Sequence, residues 1–186
     1  MIIESKRLIL RNWKDSDIQD LVEGLNNINV SKWMVSVPFP YTEKDAKNFI
    51  EYAKQQDENY KISLAIVLKE KNKVIGGTEI RNIDKRNGTA GGGIWLNEKY
   101  QKNGYGTEAI KMILEYGFKY LNLHSIRLDL LSINERAHKC YLKCGFKDAG
   151  VGREQIFLNG KYYDKLHMDI LENEFEGDYI RNKNIQ

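Results

Sequence analysis

The sequence is poor in the residue types that mark several protein classes. It has only two cysteines, Cys140 and Cys144, and only two prolines, Pro38 and Pro40, among 186 residues. The cysteines lie four apart in a helical pattern, and the chain has only three histidines. We therefore expect packed thiols rather than a disulfide framework, and no metal site. No apolar run approaches the length of a membrane span or a signal sequence, so we expect a cytoplasmic protein without a membrane partner.

The chain also has no large excess of charge of either sign. The 29 basic and 26 acidic residues are spread along the chain and leave a net charge of +3, which argues against a nucleic-acid partner. With 41% hydrophobic and 30% charged residues, the composition is that of an ordinary globular protein. We expect one domain over residues 1–175, a polar tail over residues 176–186, and a monomer or homodimer.

Apolar residues recur with the strand and helix periods in the order β-α-α-β-β-β-α-β-α-β-β. The strands are predicted at residues 8–11, 62–68, 73–81, 89–96, 125–131, 146–158 and 161–171. Three of them, joined by short turns, form an antiparallel meander before the third helix. The pattern predicts an α+β protein with a mixed, mostly antiparallel seven-stranded sheet and helices on both faces.

Residues 26–41 form the one long segment without a regular pattern. Its two prolines flank Phe39 and forbid a regular helix or central strand there. We expect an ordered loop rich in aromatic residues, which either packs on the core or forms one wall of a substrate cleft.

A glycine-rich turn at residues 101–107 separates the apolar run at residues 92–96 from a long amphipathic segment. Such a turn gathers free backbone N–H groups at the positive end of a helix dipole, which suits a phosphate. The P-loop of nucleotide hydrolases is excluded, because Gly104-Tyr105-Gly106-Thr107 lacks the required lysine.

A dinucleotide fingerprint is a second interpretation of the turn. Gly104-x-Gly106-x-x-Ala109 satisfies it, and Asp129 follows at a suitable distance to bind a ribose. The context argues against this interpretation. The first glycine does not abut its strand, and the preceding strands form a hairpin meander rather than β-α-β units.

Two motifs in order carry a third interpretation. Gln101-x-x-Gly104-x-Gly106 is followed by a helix, a strand and Asn134-x-x-Ala137-x-x-x-Tyr141-x-x-x-Gly145-Phe146. This arrangement resembles the GNAT superfamily of N-acetyltransferases. Residues 8–11, 38–42 and 159–164 are similar to the branch that contains ribosomal-protein N-terminal and spermidine acetyltransferases.

The resemblance implies acetyl-CoA as the cofactor. Main-chain N–H groups of the turn would bind its pyrophosphate, and the strand before the turn would pair with its pantetheine arm. Asn134 would contact that arm, and Lys102 and Lys143 would neutralise phosphates. The implied cofactor-binding residues are Ile94, Trp95, Leu96, Gln101, Lys102, Asn103, Gly104, Tyr105, Gly106, Thr107, Asn134 and Lys143.

The resemblance also implies the chemistry. Tyr141 corresponds to the general acid that protonates the departing thiolate, and either Asp129 or Glu79 would take a proton from the acceptor amine. The family builds its acceptor wall where Trp33, Phe39 and Tyr41 lie.

We expect direct attack of the amine on the thioester, without a cysteine nucleophile. The expected acceptor is the α-amino group of a peptide or protein N-terminus. The alternatives are a polyamine or amino sugar, or a non-catalytic acyl-CoA sensor.

Overall fold

The computed structural model describes residues 1–184, which form a mixed α+β fold around one sheet. The strands are β1 (Ile2–Glu4), β2 (Leu8–Arg11), β3 (Lys61–Leu68), β4 (Lys73–Asp84), β5 (Thr89–Leu96), β6 (Ser125–Leu131), β7 (Lys147–Leu158), β8 (Lys161–Leu171) and β9 (Asn182–Asn184). The helices are α1 (Ile18–Leu25), α2 (Ile28–Ser31), α3 (Glu43–Lys54), α4 (Tyr105–Tyr120) and α5 (Glu135–Lys143).

The predicted fold class is confirmed, but the predicted strand count is wrong. Within residues 1–184 the sheet has nine strands in the order β7-β8-β6-β5-β4-β3-β2-β1-β9. The two additional strands, β1 and β9, have three residues each, which is too short to show a period of two. Every neighbouring pair is antiparallel except β5 and β6, which are parallel.

Two apolar cores cover the two faces of the sheet. In β3, Leu64 and Ile66 belong to the core that includes α4, whereas Ala65 and Val67 belong to the core that includes α1 and α3. Since side chains alternate between the faces of a strand, the two groups of helices lie on opposite sides of the sheet. This confirms the prediction of helices on both faces.

The sheet splits between its two parallel strands. Pairing between β5 and β6 covers only residues 89–91 and 125–127. Beyond those residues β5 stays paired with β4 as far as Leu96, and β6 stays paired with β8 as far as Leu131. The C-terminal halves of β5 and β6 therefore diverge and leave a wedge-shaped opening in the sheet.

Side chains cap the N-termini of two predicted helices, α3 and α5. Thr42 accepts a hydrogen bond from the backbone N–H of Asp45, and the Asp45 carboxylate accepts one from the backbone N–H of Thr42, so that a capping box begins α3. The segment at residues 26–41 is a loop except for the short α2, which was not predicted and ends before the first proline. No helix among the described residues is long and apolar enough to cross a membrane.

The predicted tail is ordered as far as Asn184. Its backbone N–H groups at Tyr179 and Ile180 donate to the Glu115 carboxylate of α4, at 2.6 and 3.1 Å, and β9 pairs with β1. Glu115 is 1% exposed, and a buried carboxylate requires such partners. The C-terminal segment as far as Asn184 therefore packs on α4 and β1. Residues 185 and 186 lie outside the described residues.

Candidate active site

A cleft of about 1390 Å³ opens where β5 and β6 part. The glycine turn, α5 and the loop at residues 33–38 all contribute to its lining. Most of the residues predicted at distant places in the sequence are brought together here. Other residues that line the cleft are Trp13, Phe49, Lys61, Arg81 and Lys165.

One edge of β5 is free along this cleft. Thr78 and Gly77 of β4 pair with Ile94 and Trp95, but no strand in the described part of the chain pairs with the other edge of residues 94–96. Free N–H and C=O groups on a strand edge accept an extended ligand as they accept another strand. The predicted position of the pantetheine arm is therefore geometrically available.

The glycine turn presents a run of free amides. The backbone N–H groups of residues 102–107 have no acceptor among the described residues. Gly104 has φ +78° and directly precedes α4, a backbone conformation that favours glycine. The Gln101 side chain fixes the turn to β5 by donating to the Leu96 carbonyl at 2.8 Å. These amides and the positive end of the α4 dipole form a site suited to phosphate.

Two of the predicted turn residues point elsewhere. The Asn103 side chain donates to the Gln101 carbonyl at 3.0 Å, and the Arg7 guanidinium covers the Tyr105 ring at 4.6 Å. Arg7 also donates to the Asn103 carbonyl at 3.0 Å. The side chains of Asn103 and Tyr105 therefore shape the turn, and only their backbone N–H groups are available to a phosphate. The anchoring role of Arg7, about a hundred residues away in sequence, was not predicted.

Helix α5 joins the second motif to the first. Asn134 caps α5 by accepting from the Ala137 N–H at 3.2 Å, and its side-chain NH₂ group, which has no acceptor among residues 1–184, lies at the cleft. Arg136 donates to the Gln101 side chain and so connects α5 to the glycine turn. Lys102 and Lys143 are exposed on the cleft wall. Arg136 was not identified from the sequence, because a single arginine in a helix carries no distinctive signal.

Tyr141 lies in the wall of the cleft. Its residue is 7% exposed, its ring packs against Phe146 at 5.7 Å, and its hydroxyl has no partner in the described part of the chain. Burial raises the pKa of Tyr141 well above its ordinary value, and the neighbouring Cys140 and Cys144 raise it further, although Arg81 opposes them. The phenol is therefore protonated at neutral pH.

Glu79 lies in the cleft as one member of an ion cluster. Its carboxylate pairs with Lys61 Nζ at 3.0 Å and with the Arg81 guanidinium. Burial alone raises the pKa of Glu79, but the hydrogen bonds and charges of Lys61 and Arg81 outweigh it, so that the pKa lies below its usual range. A carboxylate held ionised by two cations in this way is a poor acceptor for the proton of an ammonium.

Asp129 faces the same side of the sheet as Glu79. In β6, Ile126, Leu128 and Leu130 point into the core that contains α4, and Asp129 therefore points to the opposite face. It lines the cleft, and its Oδ1 lies 2.7 Å from Nδ1 of His167 in β8. His167 was not predicted, because it is opposite Asp129 only through the register of β6 and β8.

Two of the three residues predicted for the acceptor wall line the cleft. Trp33 and Tyr41 line the cleft, and burial raises the pKa of Tyr41 to about 12. Phe39 does not line it and is 54% exposed on the loop surface, so its predicted place in the wall is wrong. Trp13 and Phe49, whose rings meet edge to face at 5.2 Å, line the cleft instead.

Of the two thiols, only Cys140 lines the cleft. Its Sγ lies 3.6 Å from Thr107 Oγ1, whereas Cys144 is buried behind it, and both thiols are free. A hydrogen bond between the two thiols lowers the pKa of Cys140 and raises the pKa of Cys144. In the described part of the chain, no three His, Cys, Asp or Glu side chains are grouped so as to hold a metal ion.

Comparison with known proteins agrees with this geometry. A family model described as an acetyltransferase (GNAT) domain matches residues 7–147. YnaD of Bacillus subtilis, an uncharacterized N-acetyltransferase, is 30% identical over 94% of this chain and 99% of its own. A spermidine N(1)-acetyltransferase of Vibrio cholerae is 30% identical over 92% of this chain and 96% of its own.

A solved structure shows the same fold with its ligands. The spermidine N-acetyltransferase of Vibrio cholerae, in complex with CoA and spermine, has a TM-score of 0.78 and 26% sequence identity, and the match covers 90% of this chain and 97% of that chain. The two motifs, the split sheet and the match over residues 7–147 lead to one conclusion: the chain belongs to the GNAT family of N-acetyltransferases.

Proposed function

We propose that this acetyl-CoA-dependent N-acetyltransferase transfers the acetyl group directly to the α-amino group of a peptide or protein N-terminus. One observation carries the choice of acceptor: the carboxylates that line the cleft are already paired. Glu79 is bound by Lys61 and Arg81, Asp129 by His167, and Glu135 by Lys139 at 3.3 Å. A polyamine carries several ammonium groups and requires several free carboxylates, whereas an N-terminus carries a single ammonium group.

The free β5 edge and the glycine turn support the assignment of the cofactor site. Residues 94–96 would pair with the pantetheine arm, the amides of residues 102–107 would bind the pyrophosphate, and Asn134 would donate to the arm. Lys102, Lys143 and Arg136 would supply positive charge to the phosphates. Acetyl-CoA supplies the acetyl group as a reactive thioester.

The side chains of the cleft provide the proton steps. Asp129 attracts the ammonium to the acceptor face, where it must lose one proton before its nitrogen has a lone pair. The nitrogen then forms the bond to the carbonyl carbon as the bond from carbon to sulfur breaks. Tyr141 donates its phenolic proton to the departing sulfur and recovers a proton from the acylated nitrogen. The net products are the amide, the free thiol and one proton.

An acceptor panel tests the proposal. We expect thiol release from acetyl-CoA to be fastest with short peptides that have a free α-amino group and an apolar first residue. The matched control is the same peptide with a blocked N-terminus and an internal lysine, which offers only an ε-amino group. The assay measures kcat/KM for both peptides, spermidine and an amino sugar.

Spermidine is the second candidate, because a relative with 30% identity is a spermidine N(1)-acetyltransferase. If kcat/KM for spermidine exceeds that for every free peptide, the N-terminus assignment is wrong and the polyamine assignment replaces it. Equal rates for the free and the blocked peptide would also contradict an α-amino acceptor.

Selective alkylation tests the placement of the cofactor and the absence of a covalent intermediate. At pH 7 we expect iodoacetamide to modify Cys140 before Cys144, because the pKa of Cys140 is lowered and only Cys140 lines the cleft. CoA should slow that modification, as measured by peptide mass spectrometry. The Cys140→Ser variant should lose the fast-reacting site and retain turnover. Loss of turnover in that variant would favour an acetyl-cysteine intermediate.

A further inference from the structure

Asp129 of β6 and His167 of β8 form a hydrogen-bonded pair beside the cleft, and one ring nitrogen of the histidine has no hydrogen-bond partner among residues 1–184. Asp129 lines the cleft, and its Oδ1 is 2.7 Å from His167 Nδ1. A carboxylate only accepts hydrogen bonds, so Nδ1 carries the proton and donates it. Nε2 of His167 has no partner among residues 1–184. The pair is part-exposed, with 29% of the His167 side chain and 31% of the Asp129 side chain accessible to solvent.

The chemistry requires a base that neither lone carboxylate supplies well. An amine at an N-terminus holds its proton up to a pH of about 8, whereas an ordinary carboxylate takes up a proton only near pH 4. An ordinary imidazole takes up a proton at about pH 6.5, which is much closer to the pKa of the amine. Proton transfer is most effective when the base titrates near the working pH. Glu79 is further weakened as a base because Lys61 and Arg81 hold it ionised.

We infer that Asp129 and His167 act as one proton-accepting unit in the acetyl transfer, with Asp129 orienting the imidazole and His167 Nε2 receiving the proton through water. Asp129 is also the member that attracts the ammonium at the cleft wall. The imidazolium that forms is stabilised by the Asp129 carboxylate and later releases its proton to solvent. His167 is thus a positioning and relay residue rather than one that touches the thioester. The inference rests on the proposed acetylation of an amine but not on which amine is used.

The charges around the pair are few. On the same face, β6 contributes Arg127, and β8 contributes Lys165 and Asp169 on either side of His167. On β7 the residue opposite His167 is Gly150, which has no side chain, and Lys147, opposite Asp169, is paired with Glu174. Asp129 is therefore the direct ionic partner of His167, and its replacement isolates the imidazole.

The test is the pH dependence of turnover in His167→Gln. Glutamine still donates a hydrogen bond to Asp129 but takes up no proton. We expect kcat to fall at least about tenfold at pH 7 while KM for acetyl-CoA stays unchanged, since general base catalysis contributes roughly 10²–10⁴-fold and water replaces part of it. If the pair is the proton acceptor, the wild-type kcat rises with pH, and that rise should disappear in the variant. Asp129→Asn should show the same loss.

The chain contains a matched control. His138 of α5 and Asp148 of β7 form a second pair, with 2.8 Å between Nε2 and Oδ1, which does not line the cleft. His138→Gln should keep both the wild-type kcat and the wild-type pH profile. The melting temperatures of both variants are measured to verify folding.

A second measurement separates proton transfer from structural damage. An acceptor with a less basic amine needs less help to lose its proton, so the defect of His167→Gln should shrink as the pKa of the acceptor amine falls. A defect of equal size for all amines, or an unchanged pH profile, would overturn the inference. These comparisons use the best acceptor of the panel, whichever it is. The assignment of a peptide N-terminus therefore fails or succeeds separately.

Discussion

Replacing Tyr141 with phenylalanine is expected to lower kcat by about 10²–10³-fold at pH 7. The substitution removes only the hydroxyl and keeps the ring that packs against Phe146 at 5.7 Å. Without the hydroxyl, negative charge develops on the departing CoA sulfur in a half-buried cleft, and no proton donor lies beside that sulfur. Because Tyr141 contributes one hydroxyl to a long cleft, the Kd for acetyl-CoA should remain unchanged. Steady-state kinetics with direct titration of CoA binding separates the two effects.

Tyr116 supplies the matched control for this substitution. It is 3% exposed, burial raises its pKa as burial does for Tyr141, and it does not line the cleft. Tyr116→Phe should therefore leave kcat unchanged. A wild-type kcat for Tyr141→Phe would show that another group protonates the thiolate. A kcat loss accompanied by an equal loss of CoA affinity would make Tyr141 a binding residue instead.

The raised pKa of Tyr141 also fixes the sign of its pH effect. An acid must be protonated to act, and burial moves the deprotonation of this phenol to a pH above its ordinary value. Tyr141 therefore remains competent throughout the neutral range. Any loss of activity at moderately alkaline pH must arise from another group. The proton-accepting side of the reaction, in contrast, should limit the rate at low pH.

Those parts of the site that depend on local sequence were predictable. Gly104 directly precedes α4, and Asn134 caps the helix that carries Tyr141, so each of the two motifs lies within a short stretch of chain. The mixed character of the sheet was predicted from the order of the elements, whereas the divergence of β5 and β6 appears only in the structure.

The parts that depend on register and on distant contacts were not predictable. His167 meets Asp129 through strand pairing, and a shift by one residue would have turned it to the other face. Glu115 of α4 is buried, and its carboxylate accepts hydrogen bonds from the backbone of the C-terminal segment. The sequence does not show that this one glutamate of the helix is buried. Phe39 is aromatic, as cleft residues often are, but its side chain is exposed on the surface of its loop.

The site is therefore built on two unlike halves. The cofactor half uses backbone groups, which are present whatever the side chains are, and needs glycine mainly to keep those groups accessible. The proposed acceptor half uses side chains of two loops and three strands: Trp13, Tyr41, Glu79, Asp129 and, through Asp129, His167. Family resemblance thus assigns the cofactor more firmly than the acceptor, and mutations in the two halves should affect different kinetic constants.

Placing a negative charge in the glycine turn should separate cofactor binding from stability. In Gly106→Asp, the new carboxylate lies in the first turn of α4, where an acid stabilises the helix dipole by about 0.3–1 kcal/mol. The new Cβ comes within 3.3 Å of only the flexible end of Leu96. The melting temperature should therefore be unchanged or higher. Opposite the pyrophosphate, however, the same charge costs about 3 kcal/mol at an effective dielectric constant of about 20, which weakens acetyl-CoA binding on the order of a hundredfold.

Gly106→Asn and Gly106→Ala separate the contribution of charge from that of size. Asparagine has nearly the shape of aspartate without its charge, so a defect that is large only in the aspartate variant is electrostatic. That defect should also shrink as salt is raised, because screening weakens the repulsion between the carboxylate and the phosphates. Calorimetric titration with CoA measures the Kd of each variant, and thermal unfolding measures its stability. If Gly106→Asp binds CoA as tightly as the wild type, the free amides of residues 102–107 do not hold the pyrophosphate, since no phosphate beside them would tolerate that charge.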